Sequence, residues 1–271
     1  PGVASQMIHL LGLSYDCHKI ELCYNGCFAG VTGLRCGRDI FLAEPGRTVL
    51  VVAVECGSVR FNSQTRDESN ALGNLLFGDG SGAAIISGEG DWEMHDFGMH
   101  TVPNSKDVLR MHESATLEHT GYDMHLGISV AEDIKKSLLG EYGMKLLARY
   151  MLRFGRQENP EFAMHPGGKR ILHKVREALK ILNFEDDLKY SYNSLDEHGN
   201  MATVSIFSVL EKLLPNSKKD SVIMMGFGPG LTIEHGFLKR SDSTLHDQAP
   251  TNNQQRLANF QAPTGETCSI L

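Results

Sequence analysis

The distribution of apolar and polar residues divides the chain into blocks that have the lengths of strands and helices. Apolar runs predict strands at residues 48–54, 83–86, 162–164, 222–226 and 231–238, and the first two are interpreted as buried strands. Apolar residues at helical spacing predict helices over 27–43, 67–76, 129–150, 169–182 and 200–214. Elements in this order predict an α/β fold, in which helices are layered on a mostly parallel or mixed sheet.

Three segments allow more specific predictions. Residues 48–54 (TVLVVAV) form a continuous β-branched run, which predicts a strand buried on both faces. Residues 184–198 are charged, and we interpret them as a loop. From Ser241 onwards Asn, Gln, Ser, Thr and Pro dominate, so residues 241–271 are predicted to form a disordered polar tail.

Composition narrows the classes of protein to consider. The 271 residues include 26 Lys and Arg against 33 Asp and Glu, and the net charge of −7 excludes a basic nucleic-acid-binding surface. No run approaches the roughly 20 apolar residues of a membrane-spanning helix, and we find no signal peptide pattern. The six cysteines form no C-x-x-C pair and the histidines in 94–125 lack metal-ligand spacing. We therefore expect free thiols, no metal and a cytoplasmic location.

Three residues are candidates for chemistry. Cys27 follows a glycine just before a helix, where backbone N–H groups and the helix dipole favour a thiolate. His165 ends a strand before a Pro-Gly-Gly turn, and Asn200 begins an apolar helix. Each alone has a structural alternative: a buried thiol, a core histidine or a helix N-cap. Together, at three helix–strand junctions, they can supply a nucleophile, an acid/base or hydrogen-bond donor, and a second polar group.

Six stretches carry a resemblance to a known family. They are GCFAGVTGLRCGRDI (26–40), the strand ending at Glu55, LLFGDGSGAAII (75–86), HPGGKRIL (165–172), EHGNMATVSIF (197–207) and GFGPGLTIE (226–234). Their order and spacing resemble those of the type III polyketide synthases, which include the chalcone and stilbene synthases. The ketoacyl-CoA and ketoacyl-ACP synthases also use Cys, His and Asn but are less similar in these strings.

The resemblance implies a thiolase-like fold with α-β-α-β-α layers and a homodimer. It implies two similar halves, over 1–90 and 91–240, the first of them incomplete. Cys27 would accept the starter acyl group from an acyl-CoA, while His165 and Asn200 would bind malonyl-CoA and stabilise the enolate left after decarboxylation. His165 would also hold Cys27 as a thiolate, as an imidazolium can. No cofactor is expected, because coenzyme A thioesters are the substrates.

The resemblance also implies which residues shape the substrate cavity. Phe77 matches a gatekeeper phenylalanine, Met124 stands where a second one is found, and Gly57 and Ala202 replace residues that line plant cavities. The glycine-rich turn would form a cavity wall with Gly226, Phe227, Gly228, Pro229 and Gly230. These departures predict a cavity unlike that of a chalcone synthase, and we expect an acyl starter and a pyrone- or resorcinol-type product.

Two features leave alternatives open. Family members carry further sequence before the segment that matches Pro1, so we interpret the chain as N-terminally truncated. A non-catalytic paralogue or partner subunit is therefore the alternative to an enzyme. The chain ends in Cys268-Ser269-Ile270-Leu271, a C-a-a-X pattern that suggests prenylation of Cys268 and a peripheral membrane location. No polybasic run precedes it, and a chance cysteine in a polar tail remains the alternative.

Overall fold

The computed structural model describes residues 2–61, 68–113, 122–156, 158–241 and 269–270. The helices are α1 (Val3–Leu11), α2 (Ala29–Ala43), α3 (Glu68–Leu76), α4 (Val130–Leu139), α5 (Glu141–Phe154), α6 (Lys169–Ile181), α7 (Lys189–His198) and α8 (Ser205–Leu213). The strands are β1 (Val49–Cys56), β2 (Asp79–Ser87), β3 (Trp92–Thr101), β4 (Leu109–Glu113), β5 (Tyr122–Leu126), β6 (Glu161–Met164), β7 (Ser221–Gly228), β8 (Thr232–Arg240) and β9 (Ser269–Ile270). Short 3-10 helices lie at Gly26–Phe28, Gly57–Arg60, Ala202–Val204 and Leu214–Asn216. The predicted α/β class is confirmed.

The sheet is mixed, as the sequence allowed. Its strand order is β1-β2-β9-β3-β8-β7-β6, and β4 and β5 form a separate hairpin. Among the described strands of the large sheet, β6 and β7 pair in parallel and the other neighbours are antiparallel. The two-residue strand β9 joins a two-stranded part (β1 and β2) to a four-stranded part (β3, β8, β7 and β6).

Alternate residues of the four-stranded part face two different hydrophobic cores. Along β7, Ile223 and Met225 belong to a core shared with α4, α5 and α6. Val222 and Met224 belong to a second core, shared with α2 and α8. Successive side chains of a strand point to opposite faces, so an entirely apolar run is what a strand covered on both sides requires. The predicted strand at 222–226 is confirmed, and the structure shows that it is buried along its whole length.

Helices α2 and α8 form a layer between the two parts of the sheet. Leu34 of α2 packs in one core with Ala53 of β1, Ala84 of β2 and Met224 of β7, and Leu210 of α8 joins them. Helices α4, α5 and α6 cover the opposite face of the four-stranded part. The described residues thus supply four successive layers, β-α-β-α, of the predicted thiolase-like arrangement.

The burial of strand β1 differs from the prediction. Its inner face is buried through Ala53, but Leu50 is 37% exposed and Val54 is 45% exposed. The prediction of burial on both faces was wrong because no described helix packs on the outer face of β1 and β2. The β-branched run therefore predicted the strand correctly but its burial incorrectly.

Two predicted boundaries also change. The helix predicted over 129–150 is divided at Gly140, whose extended backbone (ψ −162°) ends α4 and begins α5. The loop predicted over 184–198 contains α7 instead. The buried face of α7 includes Ser191 and Ser194, and the Ser191 Oγ accepts a hydrogen bond from the Met164 N–H at 3.1 Å. Buried serines hide the apolar periodicity by which a helix is recognised.

The predicted tail falls mostly outside the described residues. Cys268, the candidate lipidation residue, lies there too, and its modification stays a prediction. In the described part of the chain, no helix combines the length and apolar character needed to cross a bilayer.

A polar cluster lies between the four-stranded part and α5. The Tyr142 hydroxyl is 2.9 Å from Nδ1 of His235, and the ring of His100 stacks on Tyr142. His235 is only 3% exposed, and among the described residues its Nε2 has no hydrogen-bond partner. Burial, together with the charge of Arg149, lowers the pKa of His235 to about 4, against the opposing effect of Asp96. The folded protein therefore holds this imidazole neutral.

This pKa predicts acid sensitivity. In the unfolded chain a histidine has a pKa of about 6.5, so between that pH and about pH 4 the unfolded state binds a proton that the folded state does not. The stabilisation is complete above the unfolded pKa and decreases as the pH falls. We expect about 2 kcal/mol of the free energy of unfolding to be lost between pH 7 and pH 5 through His235. Urea denaturation of His235→Gln should show a loss smaller by that amount; an unchanged loss would contradict the assignment.

Candidate active site

The segment that carries Cys27 is a tight turn at the start of α2. Gly26 has φ of +66°, in the left-handed region that glycine tolerates best, and Gly26–Phe28 form one turn of 3-10 helix that leads directly into α2. The side chain of Cys27 is half-buried. The predicted position of this thiol, at a glycine turn before a helix, is confirmed.

The end of β7 approaches this turn more closely than a side chain would permit. A Cβ on Gly228 would lie 2.6 Å from Cδ1 of Phe28 and 3.3 Å from the Cys27 nitrogen, and one on Gly226 would lie 2.8 Å from Cα of Phe28. In the other direction, a Cβ on Gly26 would lie 2.5 Å from Cδ of Pro229. The glycines of the GFGPG segment thus allow direct backbone contact with the candidate nucleophile.

His165 follows β6 and is held by its backbone. Its N–H donates to the Met225 carbonyl at 2.8 Å, and its carbonyl accepts from the Gly167 N–H at 2.9 Å. The side chain is 1% exposed, and within the described part of the chain its Nδ1 has no hydrogen-bond partner. Burial lowers the pKa of His165 to about 3. The ring is therefore neutral near pH 7, which corrects the expectation of an imidazolium that holds a thiolate.

Asn200 is buried and is fixed at both its backbone and its amide. Its N–H donates to the Leu76 carbonyl at 2.8 Å, and its carbonyl accepts from the Gly78 N–H at 3.1 Å. These two bonds bridge Asn200 to the segment of Phe77. The side-chain Nδ2 donates to the Gly167 carbonyl at 3.3 Å, and Oδ1 accepts from the Ala202 N–H at 2.9 Å. Nδ2 retains a second hydrogen for another acceptor.

The backbone of Ala202 is strained. Its φ of +43° lies in the left-handed region, which costs a non-glycine residue roughly 1–2 kcal/mol. The hydrogen bond from its N–H to Asn200 holds this conformation. Strain of this kind is typical of functional turns, and here it fixes the direction of the Asn200 amide.

One cavity of about 560 Å³ brings these side chains together. Cys27, His165 and Asn200 all line it, although they are far apart in sequence. The other predicted residues in its wall are Phe77, Met124, Ala202, Phe227 and Pro229. Additional lining residues are Tyr24, Gly26, Glu55, Cys56, Val59, Leu76, Leu109, Leu126, Val130, Gly167 and Ile171. Much of the wall is apolar, and the three candidate residues supply a thiol, an imidazole and an amide.

Other predicted residues lie near the cavity but do not line it. A Cβ on Gly57 would lie 2.8 Å from the Gly78 carbonyl oxygen, so the absence of a side chain lets this segment pack against that of Phe77. Gly226 and Gly228 contact the Cys27 turn, as described above. Gly230 has φ of +71° in the connection between β7 and β8, and a Cβ there would make only an ordinary contact, 3.9 Å from the Thr232 Oγ1.

Sequence reasoning missed two polar residues beside the site. The Glu55 Oε1 accepts hydrogen bonds from the Thr203 N–H at 3.2 Å and from the Thr203 hydroxyl at 2.5 Å. Glu55 also lines the cavity. The available signal was weak: a carboxylate at the end of an apolar strand and a threonine inside an apolar stretch. Their contact joins segments 148 residues apart.

Comparison with known proteins defines the class. The family model for the N-terminal domain of chalcone and stilbene synthases matches residues 1–90, and the model for the C-terminal domain matches residues 93–241. The chain therefore belongs to the chalcone and stilbene synthase family, as the sequence motifs predicted.

Individual relatives agree with this assignment. The chain is 30% identical over 258 residues to type III polyketide synthase B of Arabidopsis thaliana, a match that covers 89% of this chain and 64% of the relative. The structure is similar to the C-terminal type III polyketide synthase domain of Steely1 from Dictyostelium, with a TM-score of 0.78, 27% identity, and coverage of 87% of this chain and 65% of that domain. It is also similar to 1,3,6,8-tetrahydroxynaphthalene synthase from Streptomyces coelicolor A3(2), with a TM-score of 0.77, 25% identity, and coverage of 89% and 68%. The chain thus spans less than two thirds of the length of the Arabidopsis relative and of the Steely1 domain.

The close approach of β7 to the Cys27 turn can be tested with one pair of variants. Gly228→Ala would push its Cβ into Phe28, and we expect a loss of about 1–3 kcal/mol in the free energy of unfolding from overpacking, with a slower reaction of Cys27 with iodoacetamide. Gly230→Ala, two residues further along the chain and with only an ordinary 3.9 Å contact to Thr232 Oγ1, should lose only about 1 kcal/mol from its left-handed backbone. Urea denaturation and peptide-mapped alkylation measure both effects. Equal alkylation rates in the two variants would refute the role of the close approach.

Proposed function

We propose that this chain performs the condensation chemistry of a type III polyketide synthase, with Cys27 as the nucleophile. The observation that carries the proposal is that Cys27, His165 and Asn200 line a single, largely apolar cavity. A thiol can hold an acyl group as a thioester, two nitrogen donors can bind a carbonyl oxygen, and apolar walls can accept an acyl chain. Family membership supports the same chemistry.

In the first step the Cys27 thiolate attacks the carbonyl carbon of an acyl-CoA starter. The new carbon–sulfur bond forms as the bond to the sulfur of coenzyme A breaks, so the acyl group moves to Cys27 and coenzyme A leaves as its thiolate. The position at the start of α2 favours the attacking thiolate, because backbone N–H groups and the helix dipole stabilise negative charge there.

In the second step malonyl-CoA binds with its thioester carbonyl against His165 and Asn200. Loss of carbon dioxide leaves the electron pair of the broken bond as an enolate, whose oxygen carries the negative charge. The neutral imidazole and the free hydrogen of the Asn200 amide stabilise that oxygen by donating hydrogen bonds. One such preorganised donor is worth about 3–4 kcal/mol in a transition state.

In the third step the enolate carbon attacks the Cys27 thioester. A carbon–carbon bond forms, the Cys27 thiolate leaves, and the product is a β-ketoacyl-CoA two carbons longer than the starter.

We propose an acyl starter and a pyrone- or resorcinol-type product, supported by Met124 in the cavity wall and by Ala202 beside Asn200. Efficient conversion of 4-coumaroyl-CoA to a chalcone would contradict this product class.

The decisive experiment is acyl loading measured by intact-protein mass spectrometry. The chain is incubated with a panel of acyl-CoA starters, and malonyl-CoA is then added so that products can be analysed. We expect one acyl adduct per chain, mapped to the Cys27 peptide, and polyketide products with at least one starter. Cys27→Ala should abolish both. Cys36→Ala is the matched control, because Cys36 lies on the same helix outside the cavity and should leave loading intact.

Asn200→Ala separates the second step from the first. It removes a donor for the enolate, so we expect the decarboxylation of malonyl-CoA to slow by about 10²–10³-fold, while acyl loading of Cys27 continues. Absence of any adduct on Cys27 across the panel would reject the proposal and favour a non-catalytic paralogue.

We further propose that two copies of the chain associate through the N-terminal segment. No residue of α1 is buried, and Leu10, Tyr15, Ile20 and Tyr24 are 77%, 83%, 65% and 93% exposed. Apolar surface of this extent in one stretch is typical of an interface.

A Leu10→Glu, Ile20→Glu double variant should sediment as a monomer where the parent sediments as a dimer. Leu152→Glu, at an exposed position on the solvent side of α5, is the control; a monomeric parent would reject the interface.

A further inference from the structure

Threonine hydroxyls contact the backbone carbonyls on both sides of Cys27. The Thr203 Oγ1 donates to the Gly26 carbonyl at 3.3 Å, and the Thr32 Oγ1 donates to the Phe28 carbonyl at 3.4 Å. Gly26 and Phe28 are the two chain neighbours of Cys27. The hydroxyls reach them from different elements, one from the 3-10 helix after Asn200 and the other from inside α2.

A carboxylate anchors each of these threonines. The Thr203 hydroxyl also donates to Glu55 Oε1 at 2.5 Å, and the Thr203 N–H donates to the same oxygen at 3.2 Å. The Thr32 hydroxyl also donates to Glu234 Oε2. Each hydroxyl has one proton, so its carboxylate and carbonyl acceptors share that proton in a three-centre arrangement.

The two carboxylates are themselves fixed. Glu55 is the penultimate residue of β1, and its backbone pairs with Gly80 of β2. Glu234 of β8 is fully buried, and its Oε1 accepts from Arg35 Nε at 2.7 Å. One anchor therefore lies on the two-stranded part of the sheet and the other on the four-stranded part. The turn that carries Cys27 is thus tied to both parts of the sheet.

We propose that Thr203 and Thr32 are positioning residues for Cys27, each linking a carbonyl beside the nucleophile to a fixed carboxylate. The Gly26 carbonyl already accepts the Ala29 N–H, so the threonine contact adds a constraint that the helix does not supply. Rotation of the Gly26–Cys27 peptide plane would turn the Cβ of Cys27 and move the thiol within the cavity, and rotation of the Phe28–Ala29 peptide plane would shift the backbone that follows Cys27. A displacement of about 1 Å can cost about 10²-fold in rate. This role rests on the proposed function of Cys27.

The test compares the rate of Cys27 alkylation in matched pairs of variants. Thr203→Val and Thr32→Val keep the shape of the side chain and remove the hydroxyl, whereas Thr203→Ser and Thr32→Ser keep the hydroxyl and remove a methyl group. Each folded protein is treated with iodoacetamide near pH 7, and the Cys27 peptide is quantified by mass spectrometry against time. Cys17 is exposed and takes no part in these hydrogen bonds, so its alkylation rate is the internal reference.

We expect each valine variant to slow Cys27 alkylation by about tenfold relative to Cys17, and each serine variant to stay within about twofold of the parent. Equal rates in the valine and serine variants would overturn the proposal, because the hydroxyl would then contribute nothing beyond packing. Thr32 is buried and its loss also affects Glu234, so Thr32→Val is the variant at risk of failing to fold. In that case the half-buried Thr203 pair decides the result alone.

Acyl loading, measured on the same variants, separates this proposal from the proposed function. Loading by the valine variants should fall in parallel with alkylation, with a lower maximal rate and little change in the acyl-CoA concentration that gives half of it. If the parent takes up no acyl group, the proposed function fails, and the alkylation ratios still decide whether the threonines position Cys27.

Discussion

The burial of α2 between two parts of a sheet is the constraint on which the site depends. The helix can lie there only because several of its positions lack side chains. A Cβ on Gly30 would lie 2.5 Å from the Thr203 carbonyl oxygen, and one on Gly37 would lie 2.5 Å from Cδ1 of Ile86. With larger residues the layers would separate. Since Cys27 belongs to the turn that begins this helix, the thickness of the middle layer sets its position relative to His165.

The same burial explains the charge chemistry of the interior. A carboxylate without water is costly, so Glu234 is retained in the middle layer only because Arg35 and Thr32 satisfy its oxygens. The adjacent residue, His235, faces the other side of the sheet and is held neutral by a different set of neighbours. Strand β8 thus presents the carboxyl group of Glu234 to one core and a neutral imidazole to the other, as the alternation of a strand requires.

The sequence predicted the elements whose apolar pattern is visible within the segment itself. It failed where the burial of a segment depends on residues far away in the chain. The apolar run of β7 predicted a strand, and the structure shows that strand covered on both faces. The similar run of β1 gave the correct strand with the wrong burial, because what covers a strand is decided elsewhere in the chain. Helix α7 was missed because Ser191 and Ser194 bury hydroxyls where apolar side chains were expected.

The candidate site was predictable from its local motifs, whereas its long-range contacts were not. Cys27, His165 and Asn200 stand beside glycine turns or at a helix start, and the motifs around them are local. The contact between Glu55 and Thr203 joins segments 148 residues apart, and nothing in either segment points to the other. The bridge between Phe77 and Asn200 is made by backbone groups alone, so exchanging the Phe77 side chain alters the cavity without touching the bonds that hold Asn200. Such a separation lets the shape of the cavity change by substitution at one position while the arrangement of Asn200 stays intact.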